Sequence, residues 1–130
     1  MNFYIVIPAH NEEKNIAQTL QSIVNQKLKP KKLVVVNDNS SDNTRQIIKD
    51  FTKRFDWIYK VENKSSNVHL PGSKIINAFY AGYDTLDDKY DVICKFDADI
   101  VFEPDYLLNL KVNFENNPRL GMVAGVCYVK

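Results

Sequence analysis

The sequence predicts an α/β protein built on a mostly parallel sheet with helices on both faces. Short apolar runs alternate along the chain with amphipathic stretches of helical period. Two of those runs, residues 3–7 and 33–36, are apolar at every position, as strands covered on both sides of a sheet are. Each run also ends in a polar loop. Parallel strands joined by right-handed helical crossovers place a ligand crevice beyond the carboxyl ends of the strands.

Each element follows from its own residues. Phe-Tyr-Ile-Val-Ile at 3–7, stopped by Pro8, is the first strand. After a polar turn, Ile16, Leu20, Ile23 and Val24 form one stripe of a helix whose positive N-terminal end is favoured by Glu12 and Glu13. Pro30 and the lysines around it end that pattern. Residues 33–36 are the second strand and run into Asn37-Asp38-Asn39-Ser40-Ser41-Asp42. Capping residues at 42–44 open a second helix carrying Ile47, Ile48, Phe51 and Phe55. Residues 57–61 alternate as a third strand, and 62–68 read as a polar loop. Ser73 caps a third helix whose buried stripe is expected at Ile75, Ile76, Phe79, Tyr83 and Leu86. Residues 92–96 are the fourth strand, with Asp97 and Asp99 at its end. Pro104 suits the first turn of a fourth helix marked by Leu107, Leu110 and Phe114. The last apolar run, 122–129, invites self-association if it is left uncovered at a sheet edge.

Composition bounds the rest. The 130 residues are 45% apolar and 25% charged, without repeats or linkers, which predicts one domain over 1–130. Seventeen Lys plus Arg against sixteen Asp plus Glu leave a formal charge of +1. No net field then draws the chain to nucleic acid or to an anionic membrane, so an anionic ligand must be gripped locally. Cys94 and Cys127 lie in apolar runs, and cytosolic thiols are expected rather than a disulfide, although strand neighbours can come close enough to bridge. No run reaches the ~20 apolar residues of a membrane helix, and no basic leader precedes residue 3. A cytoplasmic protein is expected.

Three polar ends thus fall on one side of the sheet, at 8–12, 37–42 and 97–99. Gly72, Gly82, Gly121 and Gly125 make neither a dinucleotide fingerprint nor a Walker loop, so phosphates need another device. Asp97 and Asp99, two apart in an extended chain, point to one side, and like charges that close need a cation or a proton between them. Their hard oxygens suit Mg²⁺ or Mn²⁺ bridging a diphosphate rather than zinc or copper. Taken alone, the pair reads equally well as solvated loop carboxylates or helix caps, and Asp38 and Asp42 as turn and N-cap residues.

Three segments in order and spacing settle the comparison: Ile5-Val6-Ile7-Pro8-Ala9-His10-Asn11-Glu12-Glu13, then Val34-Val35-Val36-Asn37-Asp38-Asn39-Ser40-Ser41-Asp42-Asn43-Thr44, then Phe96-Asp97-Ala98-Asp99. From the first strand to about residue 120 the chain resembles a family 2 glycosyltransferase of the GT-A fold, whose nucleotide-binding half is a Rossmann-like sheet.

The resemblance implies a nucleotide-diphosphate-sugar donor, a UDP-sugar first among them, and a role for each matching position. Pro8, Ala9 and His10 would line the base pocket, with His10 where an aromatic residue often stacks on the base. Glu12 would sit near the ribose, and Asp38 would accept a hydrogen bond from the base. Asp97 would lie by the ribose and the metal, Ala98 beside it in the donor wall, and Asp99 would hold the metal directly. Lys74 falls near a basic residue that faces the nucleotide in related sequences. The implied reaction is metal-dependent displacement at the sugar's anomeric carbon, with inversion, while a carboxylate base takes the proton of an acceptor hydroxyl. The family keeps that base in a C-terminal portion beyond the matched residues, and Glu103 and Asp105 lie too near the metal motif to replace it. The chain is therefore expected to be the donor-binding portion, with the acceptor part absent and the acceptor unspecified. A full-length form would act at the inner face of a membrane. A non-catalytic nucleotide-sugar binding module is the second reading. A sugar-nucleotide-forming nucleotidyltransferase ranks last, because no Gly-rich Arg-Lys signature stands near the first strand.

Overall fold

The computed structural model describes residues 1–64, 73–117, 122–123 and 127–129, with the side chains of 73–75, 122–123 and 129 outside that description. The elements are β1 (Phe3–Ala9), α1 (Ile16–Val24), β2 (Lys32–Asp38), α2 (Thr44–Arg54), β3 (Ile58–Asn63), α3 (Ser73–Tyr83), β4 (Val92–Lys95), α4 (Tyr106–Asn116), β5 (Met122–Val123) and β6 (Cys127–Val129). They build one sheet in the order β3-β2-β1-β4-β6-β5. The first four strands run parallel. The last apolar run carries two short strands, with β6 antiparallel to both β4 and β5. The order changes direction between β1 and β4. The loops leaving those two strands diverge there, and a crevice opens beyond their carboxyl ends.

β1 is buried on both faces. Phe3, Ile5 and Ile7 meet the layer of α1, α2 and α4, through Leu20, Ile23, Ile48, Leu110 and Phe114 among others. Tyr4 and Val6 meet α3, which covers the opposite face of the sheet with Ala78. Each fully buried large apolar side chain stabilises the fold by about 1.5–3 kcal/mol.

The buried stripe of α3 differs from the expected one. Ile76 is 55% exposed, whereas Ala78 is fully buried, and Ile75 lies outside the described side chains. The reason is close packing: a Cβ at Gly82 would stand 2.7 Å from Val36 Cγ2 and 2.8 Å from Val6 Cγ1. Small residues one helical turn apart let α3 lie directly on β1 and β2, and the larger side chains Phe79 and Tyr83 pack to its sides. The cysteines also depart from expectation. Cys94 and Cys127 face each other across the β4–β6 pair, both fully buried, with Cα atoms 4.1 Å apart and their sulfurs bonded. Directly opposed positions put two side chains on the same face of the sheet, a proximity that their sequence separation conceals.

Near the strands' other ends, Asp87 accepts from the Lys32 ammonium at 2.8 Å and from the buried Tyr4 hydroxyl at 2.6 Å. The Lys32 hydrogen bond, then those of Tyr4 and the Lys89 N–H, hold the Asp87 carboxyl well below the usual carboxylate range. Burial and the same carboxylate push the Tyr4 hydroxyl up.

Gly82→Ala gains about 1 kcal/mol of helix propensity against an overpacking cost of about 1–3 kcal/mol. A net loss of stability is expected, read as a lower urea midpoint. An equal or higher midpoint would show that α3 can back away from the valines. Because folding lowers the Asp87 pKa, its contribution is present above the usual carboxylate range and is lost as pH falls through the folded value. Asp87→Asn should therefore lower the thermal midpoint at neutral pH and shrink its fall toward about pH 3. Unchanged acid sensitivity would refute this.

Candidate functional site

The loops after β1 and β2 turn away from the sheet through asparagines in the left-handed region, Asn11 at φ 50° and Asn39 at φ 56°. Asparagine visits this region more readily than other side-chain-bearing residues do. The two loops are then joined to each other. The Ser41 N–H donates to Asn11 Oδ1 at 2.8 Å, the Asn11 N–H to Ser40 Oγ at 3.0 Å, and the Glu12 N–H to Thr44 Oγ1 at 2.9 Å. Asp42 serves the same junction, accepting the Thr44 N–H at 2.9 Å and the Glu13 N–H at 3.3 Å. Burial pushes its carboxyl up, but the hydrogen bonds from Thr44 and Glu13 outweigh it, and the pKa lies below the ordinary value. Asp42 is thus a turn residue, and Asn43 holds the N-cap position of α2.

His10 is oriented by the second loop. Its Nδ1 lies 2.6 Å from the Asp38 carbonyl oxygen. A carbonyl can only accept, so Nδ1 carries the proton. Nε2 is then left as the acceptor toward Asn11 Nδ2, 3.4 Å away. Asp38 is 5% exposed and accepts from Asn63 Nδ2 at 3.1 Å.

β4 ends at Lys95, so Asp97 and Asp99 stand in a turn and not in the strand. Phe96 and Ala98 are buried, and this alternation turns both carboxylates outward. Lys95 Nζ lies 3.7 Å from Asp97 Oδ1, whose side chain is 63% exposed; such pairs contribute about 0–1 kcal/mol.

The three loops enclose a cleft of about 300 Å³ lined by Pro8, Ala9, His10, Glu12, Asp38, Asp97, Ala98 and Asp99. These are the nominated positions except Lys74, whose side chain lies outside the described residues. Ala78 also lines the cleft and is absent from the sequence expectation, although a small residue one turn from Gly82 was a visible signal of close packing. Thr19, Ser22 and Gln26 were overlooked as well. Thr19 and Ser22 are polar residues of α1 and Gln26 lies just beyond its end; all three are buried, and they hydrogen-bond the segment 98–107 that follows β4. Among the described residues no group of three His, Cys, Asp or Glu side chains is placed to hold a metal. Two adjacent carboxylates do fit a Mg²⁺ or Mn²⁺ that takes its remaining oxygens from water and phosphates.

A family model described as glycosyl transferase family 2 matches residues 4–130. A probable glycosyltransferase of Bacillus subtilis, YdaM, is 37% identical over 123 residues, covering 93% of this chain and 28% of that protein. The poly-beta-1,6-N-acetyl-D-glucosamine synthase of Staphylococcus epidermidis is 29% identical over 92% of this chain and 27% of its own length. The chain thus spans little more than a quarter of these curated relatives. In fold it is similar to Staphylococcus aureus TarS crystallised with UDP, at TM-score 0.70 and 21% identity over 91% of this chain and 33% of that one. It is also similar to the mannosyltransferase PcManGT of Pyrobaculum calidifontis in complex with GDP-Man and Mn²⁺, at TM-score 0.69 and 19% identity over 92% of this chain and 34% of that one.

Proposed function

Because the chain belongs to glycosyl transferase family 2, we propose that it binds a nucleotide-diphosphate sugar, a UDP-sugar first, together with Mn²⁺ or Mg²⁺. In this reading it is the donor-binding portion of an inverting sugar transferase. The observation that carries the proposal is the convergence of the β1, β2 and β4 loops on one cleft. The 8–10 segment and Asp38 form a wall suited to a planar base, with Glu12 at the ribose. Asp97 and Asp99 face the position of the diphosphate. Bound there, the metal would neutralise the departing diphosphate. The chain's own residues bind and orient: His10 presents a ring fixed by the Asp38 carbonyl, and Asp99 presents a carboxylate with no hydrogen-bond or ion-pair partner among the described residues. The acceptor hydroxyl's base is assigned to no residue of this chain. A cytoplasmic location, with a full-length form at the inner face of a membrane, completes the proposal. No helix among the described residues is long and apolar enough to cross a membrane.

Calorimetric titration with UDP, with and without Mn²⁺, tests this reading, and a folded chain that binds in neither condition would overturn it. Asp99→Asn is expected to weaken Mn²⁺-dependent UDP binding at least about tenfold while the thermal midpoint moves by less than about 3 °C. Equal losses in both would make Asp99 structural. Donor hydrolysis separates the second reading, since binding without turnover of any UDP-sugar favours a non-catalytic module. β5 is an edge of the sheet, and self-association through the 122–129 run belongs to the same proposal. Light scattering should show mass rising with protein concentration, and a constant monomer mass would refute it.

A further inference from the structure

We propose that Thr19 is a positioning residue for the Asp97–Asp99 turn, the first fastener of a buried polar rail on α1 and the turn after it that sets the distance between the two walls of the cleft. The proposal rests on the donor-site reading above.

A threonine inside a helix ordinarily turns its hydroxyl to a carbonyl of its own preceding turn. Thr19 does not. Its Oγ1 donates to the carbonyl of Ala98 at 2.9 Å, across 79 residues of chain, and the side chain is fully buried. Ala98 is the residue between the two aspartates, so the Ala98–Asp99 peptide plane, and with it the direction of the carboxylates, is fixed from α1. The rail continues to Ser22 of α1 and on into the turn that follows the helix. Ser22 Oγ accepts the Phe102 N–H at 3.0 Å. Gln26, 1% exposed, donates to the Glu103 carbonyl at 2.6 Å and accepts the Leu107 N–H at 3.0 Å. The Lys27 N–H donates to the Pro104 carbonyl at 2.8 Å. Between these fasteners Ile100 and Val101 remain 41% and 62% exposed, while Ala98 and Phe102 are buried in the core, so the segment is held by polar bonds from one side as well as by those two side chains.

The same helix begins on the other wall. The Glu12 carbonyl accepts the Ile16 N–H at 2.8 Å, and Glu12 lines the cleft. One rigid turn of α1 therefore joins the ribose wall to the metal-facing turn. Losing the Thr19 hydroxyl frees the Ala98 carbonyl while leaving both carboxylates in place, which should loosen the metal site more than it loosens the fold.

The test compares wild type, Thr19→Val and Thr19→Ser by calorimetric UDP titration in Mn²⁺ and in chelator, with thermal midpoints measured alongside. Thr19→Val, near in shape but without the hydroxyl, should weaken Mn²⁺-dependent UDP binding about tenfold and change metal-free binding less than about twofold. Thr19→Ser restores the donor and should return Mn²⁺-dependent affinity to within about twofold of wild type. Equal weakening with and without metal, or none, overturns the assignment. Should Thr19→Val not fold, Thr19→Ser decides alone, and a loss of more than about tenfold in that variant overturns it. A folded wild type that binds UDP in neither condition removes the donor-site reading itself, an outcome distinct from wild-type binding that the valine leaves unchanged.

Discussion

β1 is paired on both edges and covered on both faces, and the cleft takes its register from that strand. Ala9 is level with Asn37 across the β1–β2 pair, and Val6 is level with Lys95 across the β1–β4 pair. β1 runs on to Ala9 while β4 ends at Lys95, and beyond those ends both loops line the cleft. Side chains alternate with period two, so a one-residue slip of β4 would bury Asp97 and Asp99 and expose Phe96 and Ala98. Burying two carboxylates without partners costs far more than two apolar side chains return. The alternation that makes the site is thus also what fixes the register.

The two faces of the sheet serve the cleft differently. On one, large apolar residues of α1, α2 and α4 fill the core, and Thr19 of α1 together with Gln26 just beyond it reach the segment 98–107. Buried hydroxyls and amides are tolerable there because each is satisfied. On the other face α3 lies close on its small residues, which brings Ala78 to the cleft as part of its wall. A larger side chain at 78 would occupy space that the base wall leaves open.

Much of this was legible in the chain. Continuous apolar runs gave the parallel strands, because a strand covered on both faces leaves no room for polar positions. The loop residues of the cleft were legible because they stand where strands stop. Ile76 misled because hydrophobicity alone marked it for burial, whereas the sheet selects Ala78 and Gly82 by size. The Cys94–Cys127 bond and the splitting of 122–129 depend on an antiparallel return that local sequence does not encode. Thr19, Ser22 and Gln26 were hidden for a related reason: their partners are backbone groups roughly 80 positions away, and a backbone group leaves no mark in a sequence.

Charge separates the two walls in kind. Glu12, Asp38, Asp97 and Asp99 all line the cleft, and Lys95 pairs with Asp97. A diphosphate brought there alone would meet carboxylates of its own sign, and a chain of net charge +1 supplies no distant field to compensate. In the proposed reading a dication between the turn and the phosphates would remove that repulsion, with the carboxylates as its ligands. The proposed base wall would work otherwise, through a ring, a buried loop and backbone groups whose contacts with a planar base need no metal. Under the proposal, recognition of the base and retention of the diphosphate would then be separable, with separate dependences on metal, and α1 would keep the two at the spacing one ligand requires.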